Sequence, residues 1–186
     1  MIVRMEPSDE ELYRRIRKGD RQALAELYER REPALYRYAL QLSGNQATAE
    51  EAAHEAFLQL IQADARFDAR RGSLQAYLYG VVRNLMRVAY RSQSVGPAGE
   101  VAVDDGVVQT LIEGEATRAL SIAVRNLPPG YRDAVVLCDL EERSYEDAAK
   151  LVGCPVGTIR SRLYRARRLL AAKLRQYRLT PEKVTK

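Results

Sequence analysis

Cysteine and histidine are scarce in this sequence: two cysteines, Cys138 and Cys154, and one histidine, His54. So few cysteines build no disulfide framework. A reducing, cytoplasmic setting is therefore expected, with each cysteine acting as a small buried hydrophobe. Three such residues, scattered along the chain, form no recognisable metal site, and no metal or cofactor is expected. Long apolar runs are also missing. None approaches the ~18 residues that suggest a membrane-spanning helix, so no membrane insertion is expected. Residues 1–20 mix charges throughout and lack the apolar core of a secretory signal. Strand-like alternation is absent too. Val101-Ala102-Val103 is too short, and too acidic in its surroundings, to count as a strand. Tryptophan does not occur at all.

What is present is helical period and charge. Hydrophobic residues make up 46% of the chain, enough for a buried core, and charged residues 30%, enough for a solvated surface. The net charge of +5 is modest, so its placement along the chain matters more than its size. The length suits one medium domain or two small ones, and the pattern divides into two helical blocks.

In the first block, residues 8–91, Leu12, Ile16, Ala23, Leu24, Leu27 and Tyr28 recur at helical spacing. Gly19-Asp20 marks a turn. Leu35, Tyr38, Ala39 and Leu42 continue the period up to Ser43-Gly44-Asn45, where Gly44 is a helix stop. Thr48 with Glu51 three residues later reads as a capping box. It opens a helix with Ala52, Ala53, Ala56, Phe57, Leu60 and Ile61 on one side. Residues 67–72 form a loop. Ser73 then caps a helix through Tyr77, Leu78, Val81, Val82, Leu85 and Tyr90. From Ser92 to Thr117 there is no Lys or Arg, but several Gly, Asp and Glu. Residues 92–114 are read as a flexible acidic linker. Its acidity fits simple solvation, and equally a segment that mimics nucleic acid or avoids premature DNA contact.

In the second block, residues 115–178, Ala119, Ile122, Ala123 and Leu127 form a helical face stopped by Pro128-Pro129-Gly130. A further helix restarts over Tyr131 to Leu140. Ser144 caps another, with Asp147 three residues on. The expectation is an all-α chain of two small helical domains joined by a flexible linker.

The sharpest pattern lies at the end of the second block. A short helix from Tyr145 ends at Gly153. Cys154-Pro155-Val156-Gly157-Thr158 is the turn and the start of a second helix, which Ile159 to Leu174 continues. Small Ala149 allows close helix crossing, Gly153 can take a positive backbone angle, and Ile159 packs the second helix onto the first. This is a helix-turn-helix, a unit that lays its second helix in the DNA major groove. Ile159, Leu163, Ala166, Leu169 and Leu170 form an apolar stripe. Arg160, Ser161, Tyr164, Arg165 and Arg168 share the other side, with Thr158 at the helix start. From Ala148 to Pro181 there are nine Lys/Arg and no acid, the footprint of a nucleic-acid binder. Arginine near the start of such a helix can reach guanine O6 and N7. A basic helix alone also fits a solvated face or a membrane-surface helix, but turn chemistry, small residues and charge asymmetry coincide here. A stand-alone regulator with a helical dimerisation or sensing domain remains open on these residues. A hydrolase using Glu50, Glu51 and Glu55 lacks the spaced acids, histidines and metal-site geometry such chemistry wants.

The combination resembles a known family. Leu127-Pro128-Pro129-Gly130-Tyr131-Arg132, Ser144-Tyr145-Glu146-Asp147-Ala148-Ala149 and residues 155–167 resemble region four of bacterial sigma factors of the extracytoplasmic-function group of the sigma-70 family. Residues 49–57 and 76–84 resemble region two. The resemblance implies a transcription initiation factor, not an enzyme, that binds the clamp and flap of core RNA polymerase, directs it to promoter DNA and helps to open it. An anti-sigma factor is the implied controlling partner. Residues 8–91 would bind polymerase and the minus-ten element, and residues 115–178 the minus-thirty-five element. Carried over residue by residue, Thr158, Arg160, Ser161, Tyr164, Arg165 and Arg168 meet the minus-thirty-five duplex. Tyr77 and Asn84 meet the minus-ten strand, and Glu51, His54 and Glu55 meet the polymerase. Three positions depart from the family pattern. Glu51 stands where aspartate is common, His54 where glutamine is, and Tyr77 where tryptophan is; a tyrosine can still stack.

Overall fold

A computed structural model of the chain describes residues 6–62, 67–93 and 115–175. Among them are eight α-helices, one π-helical turn and no strand. Part of the expected linker, residues 94–114, including Val101-Ala102-Val103, lies outside the described residues, as do residues 176–178 of the second block.

Local chemistry sets the helix ends. Ser8 caps α1 (Asp9–Ile16), its hydroxyl accepting from the Glu11 N–H. Asp20 caps α2 (Arg21–Ser43), accepting from the N–H groups of Gln22 and Ala23. The bond from the Ala23 N–H and another from Arg15 hold the Asp20 carboxyl below its usual range. Helix α2 continues through Pro33 and stops at Gly44, whose φ is 69°. Helix α3 (Gln46–Ile61) is capped by Asn45, which accepts from the Thr48 N–H at 2.8 Å. The expected Thr48 cap is therefore corrected: an asparagine directly after a left-handed glycine starts the helix earlier. Ser73 caps α4 (Leu74–Gln93), accepting from the Ala76 N–H. This helix reaches two residues into the segment read as linker.

The second group is α5 (Glu115–Arg125), α6 (Pro129–Val135), α7 (Tyr145–Val152) and α8 (Val156–Lys173). Helix α6 begins at Pro129, two residues before the expected start, because proline suits a first helical turn that needs no donor. It runs into a π-helical turn, Val136–Leu140, rather than continuing as α-helix.

Leu12, Leu27, Leu35, Ala53, Leu60 and Leu78 lie in the core of the first group, and Leu127, Leu137, Ala148, Ile159 and Leu163 in that of the second. Two apolar assignments change. Ile61 is 42% exposed and so is Leu169. Neighbouring helical residues stand about 100° apart, so Ile61 and Leu169 turn away from the faces that bury Leu60 and Leu170.

The two groups dock on each other, α2 against α5 and the π turn, and α4 against α7. Much of this seam is polar. The buried Tyr38 hydroxyl donates to Asp133 at 3.0 Å. Arg132 donates across the seam to the Leu42 carbonyl at 3.0 Å. Tyr79 donates to Glu141 and accepts from Arg143. Arg83 donates to the Val152 carbonyl, which ends α7, at 2.6 Å. Burial pushes the Asp133 and Glu141 carboxyls up against the pull of their partners. It pushes the Tyr79 hydroxyl up to about 12.

Candidate nucleic-acid interface

The helix-turn-helix is α7 and α8. Ser144 caps α7, accepting from the Asp147 N–H at 3.1 Å while its hydroxyl donates to the Asp147 carboxylate at 2.8 Å. That hydroxyl holds the Asp147 carboxyl below its usual range. Gly153 ends α7 with φ 71°. A side chain added there would meet no neighbour. The glycine is therefore needed for its backbone angle and not for space. Ala149 and Ile159 are buried where the two helices meet.

One face of α8 is left open. Arg160, Ser161, Tyr164, Arg165 and Arg168 are exposed, and Thr158 is half-buried. The Ser161 hydroxyl donates back to the Thr158 carbonyl. Arg160 lies 3.8 Å from Glu146 and over the Tyr145 ring. Arg168 lies over the ring of Tyr164, which is 64% exposed. Arg165 has no ion-pair partner among the described residues. Two cations of the same helix turn elsewhere. Arg167 forms a two-pronged pair with Asp139, at 2.6 and 3.2 Å, and Arg162 lies against Gly130 and the Cys154 sulfur. The basic run thus splits into an outward set that can meet phosphates and base edges and an inward pair that ties α8 to the preceding helices.

On α4, Asn84 is exposed. Arg87 and Val88 follow one turn later on the same side, and Val88 is 58% exposed. Sequence reasoning did not single out these two, because the exposure of a lone valine is not written in its spacing. Tyr77 is half-buried, its ring 5.7 Å from Phe67, which packs edge-on against Tyr13. Burial pushes the Tyr77 hydroxyl up. Tyr77 and Asn84 lie seven residues apart on one helix, and Tyr77 packs while Asn84 faces solvent.

On α3, Glu51 and His54 are exposed. Glu55 is half-buried and accepts from Gln59 at 2.9 Å. Leu58 and Ile61 are 39% and 42% exposed. With Glu51 and His54 they share one stripe, at helical spacing. Sequence periodicity hid this apolar element of the face, because it grouped Ile61 with the core. The structure therefore presents three separate surfaces, on α8, α4 and α3. Among the described residues no group of His, Cys, Asp and Glu could hold a metal ion, and no helix is long and apolar enough to cross a membrane.

Comparison with known proteins adds the following. Residues 27–95 match the family described as sigma-70 region 2, and residues 117–170 the family described as sigma-70, region 4. The chain is 31% identical over 179 residues to the ECF RNA polymerase sigma factor SigE of Mycolicibacterium smegmatis, covering 89% of this chain and 69% of that one. It is 34% identical over 151 residues to the ECF RNA polymerase sigma factor EcfG of Rhodopseudomonas palustris, covering 76% and 80%. Among solved structures, the fold resembles the sigma factor RpoE of Bartonella quintana, which was crystallised with the anti-sigma factor NepR. The TM-score is 0.61 at 25% identity, over 81% of this chain and 96% of that one.

Proposed function

The chain belongs to the extracytoplasmic-function group of the sigma-70 family, and from this premise we propose how its three surfaces divide the work of a transcription initiation factor. A sigma factor binds core RNA polymerase and directs it to promoters. The observation that carries the assignment is the order of the two matched regions, with an open basic face on the second helix of a complete helix-turn-helix. A stand-alone regulator is not favoured, because the first group matches sigma region 2.

Residues 115–178 read the minus-thirty-five duplex. Arg160 and Arg165 reach base edges, while Thr158, Ser161, Tyr164 and Arg168 contribute base and backbone contacts. Each neutralised phosphate releases counterions, so binding weakens steeply with salt. Residues 8–91 read the minus-ten strand and hold the polymerase. Flipping a base out of the stack costs a few kcal/mol. The exposed Asn84 amide can donate and accept against a base edge, the exposed Arg87 meets a phosphate, and Tyr77, packed against Phe67, contributes to the same strand site. The stripe of Glu51, His54, Leu58 and Ile61, with Glu55 at its edge, docks on the polymerase clamp, and the second domain meets the flap. Residues 92–114 join the two. The protein works without a cofactor, in the cytoplasm. By its likeness to RpoE of Bartonella quintana, it is held in check by an anti-sigma factor.

The test is run-off transcription with purified core polymerase, with and without the chain, on promoter-rich genomic templates. Promoter-specific transcripts should appear only with the chain. Their absence on every template rejects the reading.

A further inference from the structure

We propose that α1 is a splint for the minus-ten site, in which Glu10 and Tyr13 are positioning residues that hold the first turn of α4 and the ring of Tyr77. The consequence for promoter opening rests on the sigma-factor reading; the splint itself does not.

Two stripes of one short helix carry the argument. Eight residues are too few for a helix to hold itself together in water, so α1 owes its order to what it touches. One stripe anchors it. Leu12 is fully buried and Asp9 is 6% exposed. The Asp9 carboxylate accepts from Arg31 at 2.6 Å and from Arg30 at 3.3 Å, both on α2. The other stripe is Glu10, Tyr13 and Arg17, whose spacings of three and four put them on one side. Each reaches a different stretch of the chain. The Glu10 carboxylate accepts from the Leu74 N–H at 3.1 Å. Leu74 opens α4, and an N–H at that position has no partner inside the helix. The Tyr13 ring meets Phe67 edge-on, with centroids 5.2 Å apart, and Phe67 meets Tyr77 at 5.7 Å. Arg17 donates to the carbonyl of Gln62, which ends α3, at 3.2 Å.

Both holds converge on Tyr77. It follows Leu74 by three residues, in the turn that Glu10 caps, and its own N–H bonds the Ser73 carbonyl at 3.1 Å. The cap therefore fixes its backbone and the stack fixes its ring. Its hydroxyl, pushed up mainly by burial, also feels Tyr13. A side chain that meets an unstacked base gains from being held in place beforehand, because it then loses little rotamer freedom on binding.

The test has two arms. The first needs no DNA: amide hydrogen exchange of the full chain. In Glu10→Ala the amides of Leu74 to Tyr77 should exchange about fivefold faster, the usual worth of a helix cap. In Glu10→Gln, which keeps an accepting oxygen, they should exchange at the wild-type rate. Wild-type exchange in Glu10→Ala overturns the splint. The second arm follows open-complex formation by holoenzyme, read by permanganate reactivity. Tyr13→Leu should slow it about two- to twelvefold, the worth of an aromatic pair, with core polymerase affinity unchanged, and Tyr13→Phe should keep the wild-type rate. On a Tyr77→Ala background, Tyr13→Leu should cost nothing more. Wild-type opening in Tyr13→Leu or in Tyr77→Ala overturns the positioning role. So do losses that add in the double variant, or a matching loss of core affinity, the mark of a helix that merely covers the core. If Tyr13→Leu loses helicity, Glu10→Ala takes its place in every comparison, with Glu10→Gln as its rescue. Should the wild type give no promoter-specific run-off transcript, the sigma-factor reading fails and the exchange arm alone decides the splint.

Discussion

Replacing Arg165 by alanine removes an exposed guanidinium that has no ion-pair partner among the described residues. The folded chain should therefore lose no more than about 0.5 kcal/mol of stability, so a weaker complex with DNA reports on recognition. If Arg165 grips a guanine with both prongs, the loss is about 1–3 kcal/mol, or roughly five- to 150-fold in affinity. If it meets a phosphate instead, discrimination between bases survives and the slope of log affinity against log salt falls by about 0.9. Arg160→Ala starts from a different position. Arg160 sits 3.8 Å from Glu146, and both side chains are about 60% exposed (64% and 59%). That exposed pair contributes no more than about 1 kcal/mol. DNA must displace it, so the Arg160 loss is reduced by that amount and Glu146→Ala should tighten binding. The assay is holoenzyme binding to promoter fragments with single substitutions in the minus-thirty-five element, repeated across a salt series. Wild-type affinity, base preference and salt slope in both arginine variants would refute the assignment of this face.

The other predictions concern the second reading surface, the turn and the seam. Asn84→Ala should slow open-complex formation, followed by permanganate reactivity, and leave core polymerase binding intact; lost core binding would make Asn84 structural. Gly153→Ala forces a left-handed angle on an alanine and should cost about 1–2 kcal/mol, a melting shift of about 2–8 °C for a chain of this size. An unchanged melt rejects strain at that turn. Asp133, faced by Tyr38, Arg83, Arg87 and Arg132, and Glu141, faced by Tyr79, Arg143 and Arg37, both have carboxyls raised by burial. They hold a proton more tightly in the folded chain than in the unfolded one, so the stability they contribute should be fully present below the ordinary carboxylate range and be lost as pH rises through the raised values. Denaturant unfolding at several pH values checks the sign, and Asp133→Asn should flatten the response.

Much of the reading surface was legible before any tertiary structure, because it is written in local periodicity. Ile159, Leu163, Ala166 and Leu170 recur at three and four, so the opposite face of α8 had to carry Arg160, Ser161, Tyr164 and Arg165. Gly153 announced its turn through its lack of a side chain. Errors came where several local signals competed. Asn45 and Thr48 are both good caps, and only the left-handed angle at Gly44 favoured the earlier one. Ile61 and Leu169 sit beside buried leucines, and their own exposure depends on which neighbour a helix meets.

Local pattern alone set the helical character of the chain, the helix-turn-helix and the chemistry of its outer face, since those follow from spacing of three and four and from backbone angles only glycine takes easily. Tertiary structure decided which arginines are available. Arg162 and Arg167 look like Arg165 in a row of residues, yet Asp139, 28 positions from Arg167, claims one of them. It also decided that the two blocks, read as domains joined by a flexible linker, are docked on each other. Tyr38 meets Asp133 across 95 positions, and neither residue's neighbours in the chain signal a partner. A polar contact at that range has no period to betray it; it exists only once the helices that carry it have packed.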